Sequence, residues 1–174
     1  MKLFWNILLT LIAIALGVYL VIILIEPIRT RELNEVKKNE IIKRLEYVRL
    51  AQFAYKSIKG SYTDNWDSLI NTVKGDSFRI IKSIGDPDDT TVVHETYIIY
   101  KHISDSIFPP NFPIDSLKYI PFTKGGIFEL QAGKINQRGV DVHVFQVTDT
   151  KPFDPDRPLI LGSMSEANTS GNWK

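Results

Sequence analysis

The chain has no cysteine among its 174 residues and only three histidines. Disulfides, thiolate zinc sites, iron–sulfur clusters and cysteine nucleophiles are therefore excluded, while oxidising and reducing compartments both remain open. The histidines, His94, His102 and His143, lack the close spacing of metal-binding motifs such as His-Glu-x-x-His. The sequence therefore predicts neither a metal site nor a bound cofactor.

The chain also lacks an excess of charge of either sign. Lys and Arg number 21 against 20 Asp and Glu, so the formal net charge is +1. A nucleic-acid-binding domain normally carries a strong basic excess. We therefore expect no nucleic-acid partner, and the length allows one ordinary domain with an appendage.

Recognisable catalytic motifs are missing as well. The sequence contains no Gly-x-Ser-x-Gly elbow, no Ser-x-x-Lys, no phosphate-binding loop and no Gly-x-Gly-x-x-Gly. The acidic run around Asp86, Asp88 and Asp89 does not match a calcium loop and indicates a turn. We predict a protein without catalytic residues. The alternative is an anchored enzyme or ligand-binding module, with a site on the strand where Asp141 and His143 share a face.

An apolar segment without a formal charge runs from Leu3 to Ile25. Its roughly 23 residues match the length of a transmembrane helix. A cleaved signal peptide has a shorter apolar region of about 7 to 15 residues and a small-residue cleavage site, which is not seen here. We predict an uncleaved single-pass anchor over residues 1–28.

The flanking charges and the length of the C-terminal part favour opposite orientations of this anchor. The bases after the apolar segment include Arg29, Arg31, Lys37 and Lys38, against Lys2 before it, and the positive-inside rule would then keep the C-terminal part in the cytoplasm. Long domains can nevertheless translocate regardless of charge, and an N-terminal signal-anchor commonly exports the domain on its C-terminal side. We expect the C-terminal domain outside the cytoplasm.

Residues 29–60 form the predicted helical stem and core helix. Thr30 to Lys59 contains neither Gly nor Pro, so one helix is expected. Its first half is charged, with isolated apolar residues at Leu33 and Val36, whereas the apolar face broadens from Leu45 onward. The second half should pack in a core. The first half should be a solvated face, or a contact with a second copy through the stem.

Residues 61–174 form the predicted globular α+β domain with a polar C-terminal tail. A short helix is expected from Asn65 to Lys74, capped by Thr63 or Asp64. The last two strands are close enough to form a hairpin around Gly133–Gly139. We expect one small antiparallel sheet against the long helix. The predicted strands are Phe78–Ile84, Glu95–Ile103, Ile127–Ala132 and Val140–Thr148.

A proline-rich segment from Phe108 to Phe122 separates two of these strands. It should be a surface loop with one helical turn at Ser116–Tyr119. Rigid aromatic and proline side chains suit a protein-binding surface, although packing in the core would explain the aromatics equally well. The predicted partner-binding residues on the stem and this segment are Leu33, Val36, Phe108, Phe112, Tyr119 and Phe122.

The helix end resembles that of type IV pilins and type II secretion pseudopilins. The residues that carry the resemblance are Ala51, Ala54-Tyr55, Gly60, Ser61-Tyr62-Thr63 and Leu69. In those proteins a membrane helix runs into an amphipathic helix that ends at Tyr and Gly-x-Tyr before an antiparallel sheet. The leader, the Gly-Phe cleavage site and the early Glu of pilins do not occur in Met1–Ile7. The resemblance implies a place in a pilus or secretion assembly.

Three further strings are similar to a set of uncharacterised single-anchor membrane proteins of Bacteroidota. They are AQFAYKSIKGSY, LKYIPFTKGGIFEL and GSMSEANTSGNW. This resemblance implies the inner membrane of a diderm bacterium and no particular activity. Together these arguments predict a non-enzymatic component of an envelope assembly. Its expected partners are the lipid bilayer, other envelope proteins and a second copy, with the C-terminal domain in the periplasm.

Overall fold

A computed structural model describes residues 2–84 and 95–173, with side chains at 4–20, 33–82 and 97–173. The chain divides into two compact units, Met1–Glu40 and Ile41–Lys174. Helix α1, Lys2–Lys59, belongs to both. The predicted residues His94, Asp86, Asp88 and Asp89 lie outside the described residues.

The first unit contains the N-terminal part of α1. Every side chain from 4 to 20 is exposed. The Thr10 hydroxyl donates to the Asn6 and Ile7 carbonyl oxygens, at 3.1 and 2.8 Å, so this polar group is satisfied within the helix. Among the described residues, no helix has both the length and the apolar character needed to cross a bilayer. Part of the predicted span, Leu3 and residues 21–25, lies outside the described side chains.

The second unit begins with the C-terminal part of α1. The fully buried residues Ile41, Leu45 and Val48 recur every three or four positions, which puts them on one face of the helix. Burial was predicted to begin near Leu45 and begins one turn earlier, at Ile41. The helix stops at Gly60, whose φ of +82° suits glycine and whose N–H donates to the Lys56 carbonyl at 2.8 Å.

Helix α2 spans Trp66–Gly75, close to the predicted helix, but its cap was predicted at the wrong residue. The Asn65 carboxamide oxygen accepts a hydrogen bond from the Ser68 N–H at 3.0 Å, so Asn65 is the N-cap. Thr63 is instead buried, and its hydroxyl accepts from the Asn65 N–H at 3.1 Å.

Two antiparallel sheets are present in the described part of the chain, where one was predicted. The first is a ribbon of β1, Ser77–Ile84, and β2, Glu95–His102. The predicted second strand included Ile103, but Ile103 starts the short helix α3, Ile103–Ile107, and is fully buried.

The second sheet has the order β3-β4-β5, with β3 at Glu129–Gln137, β4 at Val140–Thr148 and β5 at Ile160–Gly162. The predicted loop Gly133–Gly139 is much shorter in the structure, because β3 continues through Gln137. Arg138 and Gly139, with φ of 54° and 84°, form a two-residue turn whose positive φ values match a type I′ hairpin.

The polar C-terminal segment is attached to β5. Leu161 pairs with Gly171, and the Asn172 carboxamide accepts from the Ile160 N–H at 3.1 Å and donates to the Pro158 carbonyl at 2.8 Å. The bond from the Ile160 N–H satisfies a backbone donor of β5 that would otherwise remain at a free sheet edge.

One hydrophobic core joins these elements of the second unit. α1 supplies Leu45 and Val48, the second sheet supplies Phe145 and Leu161, and Phe128 precedes β3. The architecture is therefore α+β, with helices packed on small antiparallel sheets. That part of the predicted fold class is confirmed.

Candidate functional site

Two of the predicted partner-binding residues lie on α1 within the first unit. Leu33 and Val36 are 58% and 61% exposed. They are three residues apart, so they lie on the same side of the helix. An apolar pair of this kind is available for contact with another molecule.

The proline-rich segment is largely ordered against the core. It contains a 3₁₀ helix at Ile114–Lys118. Phe108 is only 8% exposed, and Phe112 is half-buried and stacks on Phe108 with ring centres 4.8 Å apart. Tyr47 of α1 meets both rings, at 5.4 and 5.2 Å. Phe108 and Phe112 therefore pack in the second unit, as the alternative explanation of the aromatics anticipates.

The same segment is fastened to α1 by Arg44. The Arg44 guanidinium donates to the Ser116 carbonyl and hydroxyl oxygens, at 2.5 and 2.7 Å, and lies 5.1 Å from the centre of the Phe112 ring. A guanidinium provides both a planar stacking surface and several donors, so one side chain makes all three contacts.

The remaining predicted residues, Tyr119 and Phe122, are 42% and 61% exposed. They stand at the start of a compact loop, residues 119–127, which we call the aromatic loop. Two bonds close it: the Ile120 N–H donates to the Gly126 carbonyl at 2.8 Å, and the Thr123 hydroxyl donates to the Ile120 carbonyl at 2.7 Å. Sequence reasoning missed Ile127, which is 44% exposed and pairs with Tyr119.

Phe122 occupies an unusual backbone conformation. Its φ is 62°, in the left-handed region that a bulky residue rarely adopts. Non-glycine residues that their surroundings hold in this region cluster at functional sites. The loop therefore holds Phe122 toward solvent at an energetic cost.

The ribbon β1–β2 presents a second apolar surface that sequence reasoning missed. Its six largest exposed apolar side chains are between 43% and 70% exposed. The available signal was the adjacent pairs Ile80-Ile81 and Ile98-Ile99, because neighbours in a strand point to opposite faces. Both faces of the ribbon are therefore apolar. The six residues are Ile80, Ile81, Tyr97, Ile98, Ile99 and Tyr100.

Asp141 and His143 share a face of β4, but their side chains have different surroundings. The Asn136 carboxamide donates to the Asp141 carboxylate at 2.9 Å. His143 is half-buried and lines a pocket. Of the two residues of the alternative site predicted on this strand, only His143 therefore lines the pocket.

This pocket, which we call the hairpin pocket, has a volume of about 270 Å³. One wall comes from the β3–β4 hairpin and the other from the end of α1 and the turn after it. The hairpin wall contains Ala132, Gly133, Lys134 and His143. The opposite wall contains Tyr55, Ser61, Tyr62, Thr63 and Asp64.

The buried side chain of Gln52 fixes the turn that forms this second wall. Its carboxamide donates to the Thr63 carbonyl at 2.7 Å and accepts from the Thr63 N–H at 3.2 Å. Tyr62 in the same turn packs on Phe145 with ring centres 4.6 Å apart, and burial raises the pKa of the Tyr62 phenol. Tyr62 is therefore neutral throughout the physiological range.

Among the described residues, no three His, Asp or Glu side chains converge in a way that could hold a metal ion. No family model, curated protein or solved structure matches the chain.

Proposed function

We propose that this protein is a non-enzymatic, membrane-anchored component of a bacterial envelope assembly. The first unit anchors it in the inner membrane through a single helix. The second unit lies in the periplasm and contacts other envelope proteins. A pilin-like or secretion-assembly role fits this arrangement.

The observation that carries the proposal is the surface of α1 between Phe4 and Leu20. Large apolar side chains on every side of the helix are exposed there, and none of these 17 residues is charged. A helix that is apolar all round requires an apolar environment, which a bilayer supplies. The exposed members are Phe4, Trp5, Ile7, Leu8, Leu9, Leu11, Ile12, Ile14, Leu16, Val18, Tyr19 and Leu20.

The aromatic loop is the proposed contact with a partner protein. Phe122 and Tyr119 are exposed, and Lys118 and Lys124 flank them. Aromatic side chains are enriched at the centres of protein interfaces because they bury much area for few rotatable bonds. Leu33 and Val36 offer a separate contact through which a second copy could associate.

The test is a cross-linked pull-down from membranes, comparing wild type with Phe122→Ala. We expect the variant to lose most of the recovered complex while its level in the membrane stays constant. Phe153→Ala is the matched control, because Phe153 is also exposed but lies outside the aromatic loop. Equal recovery from Phe122→Ala and wild type would exclude the aromatic loop as the contact.

A second candidate function is a membrane-anchored ligand-binding module. The observation in its favour is the hairpin pocket, which is lined by hydrogen-bonding side chains from both walls. Saturable binding of a small molecule in this pocket would establish the ligand-binding function. Failure of small molecules to bind in the pocket would exclude that function.

A further inference from the structure

We propose that the hairpin pocket binds a small free α-amino acid in its zwitterionic form. Lys134 and His143 receive the carboxylate, and Asp64 on the opposite wall receives the ammonium group. This inference rests on the second candidate function and names the class of ligand.

Charged side chains on both walls of the hairpin pocket support a zwitterionic ligand. Lys134 and His143 are direct cross-strand partners, so their side chains are adjacent on one face of the hairpin. Asp64 belongs to the facing wall. Within the described part of the chain, none of these three side chains forms an ion pair or a hydrogen bond. The lining of the hairpin pocket therefore includes a cation, Lys134, and an anion, Asp64, that are not paired with each other.

The hairpin pocket is open to solvent, and its volume of about 270 Å³ accommodates a small molecule. A small amino acid fits this volume and carries both charges that complement the lining.

The remaining lining suits the uncharged part of such a ligand. Ala132 and Gly133 leave room at the hairpin wall, and the rings of Tyr55 and Tyr62 provide apolar surface opposite them. A larger residue at position 133 is disfavoured, because its Cβ would lie 3.0 Å from the Met164 methyl group.

The pocket is also held in place before any ligand arrives. Gln52 fixes Thr63 through two hydrogen bonds, and the Tyr62 ring contacts both Phe145 and the Lys56 ammonium, which lies 4.5 Å from the ring centre. A wall that does not need to be ordered on binding costs the ligand little conformational entropy.

The experiment is a titration of the full-length protein in lipid nanodiscs with isotope-labelled alanine methyl groups. The Ala132 methyl lines the pocket, and the exposed Ala167 serves as the internal reference. The probes are L-valine, isovalerate, which lacks the ammonium group, and isobutylammonium, which lacks the carboxylate. We expect saturable shifts of the Ala132 signal with L-valine and at least about tenfold weaker binding of the other two.

Two variants locate the charges. Lys134→Met should weaken L-valine about tenfold, and Asp64→Asn should weaken L-valine similarly without weakening isovalerate. Asp141→Asn is the matched control on the same face of β4, bonded to Asn136 and outside the pocket, and it should leave all three affinities unchanged.

The outcomes separate the two claims. Binding of isovalerate as tightly as L-valine would show a simple anion site, so the amino-acid proposal would fail while the ligand-binding function stood. An unchanged Ala132 signal with all three probes would overturn both.

Discussion

Leu45 belongs to the packing between α1 and the rest of the second unit. It is fully buried and belongs to the core together with Val48, Phe145 and Leu161. Leu45→Ala removes this side chain and leaves a cavity, so we expect a loss of about 2 to 5 kcal/mol in the free energy of unfolding. Urea unfolding followed by tryptophan fluorescence measures it.

Lys38→Ala is the control for this experiment, because Lys38 is exposed and lies on α1 two turns earlier. It should change the unfolding free energy little. Equal and small effects of the two substitutions would mean that the second unit folds without help from α1.

Asp149 should make stability depend on pH. The residue is 2% exposed, and burial raises the pKa of its carboxyl, although the hydrogen bond from the Lys151 N–H at 2.9 Å opposes that rise. From about pH 4 upward the folded state therefore holds this proton more tightly than the unfolded chain does. Stability contributed by the protonated form is lost as the pH rises through the raised pKa.

Asp149→Asn removes this titration and keeps an oxygen acceptor for the Lys151 N–H. The stability of the variant relative to wild type should increase as the pH rises from about 4 and then reach a plateau. Urea unfolding of both proteins at a series of pH values measures the difference. A relative stability that falls over the same pH range would show that ionised Asp149 is favoured in the fold.

At the scale of elements, the β3–β4 turn is the most informative test. Arg138 has a φ of 54°, in a region that Asn adopts more easily than Arg. Arg138→Asn should therefore raise the free energy of unfolding by about 0.5 to 1 kcal/mol. The same exchange one residue earlier, Gln137→Asn, falls in a strand and should give no gain. A destabilised Arg138→Asn variant would mean that the arginine side chain has a structural role.

Elements with strong periodicity were predictable from the sequence. The face of α1 around Leu45 and Val48 and the strand β4 can be read directly from apolar spacing. The N-cap of α2 was not predictable in this way, because Thr63, Asp64 and Asn65 are all acceptable caps. In the fold Gln52 bonds the Thr63 backbone and Asn65 caps the helix. The extension of β3 was hidden by Gly133 and by the polar residues after it.

The candidate sites were predicted less well for a physical reason. Asp64 lines the hairpin pocket together with Lys134 and His143. Asp64 is far from the other two in the sequence, and no common motif contains them. Tyr119 and Phe122 were selected because they are aromatic residues of the proline-rich segment, but the same criterion selected Phe108, which lies in the core. Sequence composition finds aromatic residues, and only the fold determines which of them face solvent.

At the scale of the whole molecule, orientation is a separate prediction. A reporter fused after Lys174 should be active in the periplasm and silent in the cytoplasm, because long domains translocate largely regardless of flanking bases. Activity in the opposite compartment would show that Arg29, Arg31, Lys37 and Lys38 govern insertion.

The central claim is that α1 anchors the protein in a bilayer. Carbonate extraction of cell membranes tests it most directly, with Leu11→Arg/Ile14→Arg as the variant that places two charges within the apolar surface and Leu33→Arg as the control outside it. Wild type and Leu33→Arg should remain in the membrane pellet, whereas the double variant should be released or fail to accumulate. Release of the wild-type protein into the supernatant would show that α1 does not anchor it in the bilayer.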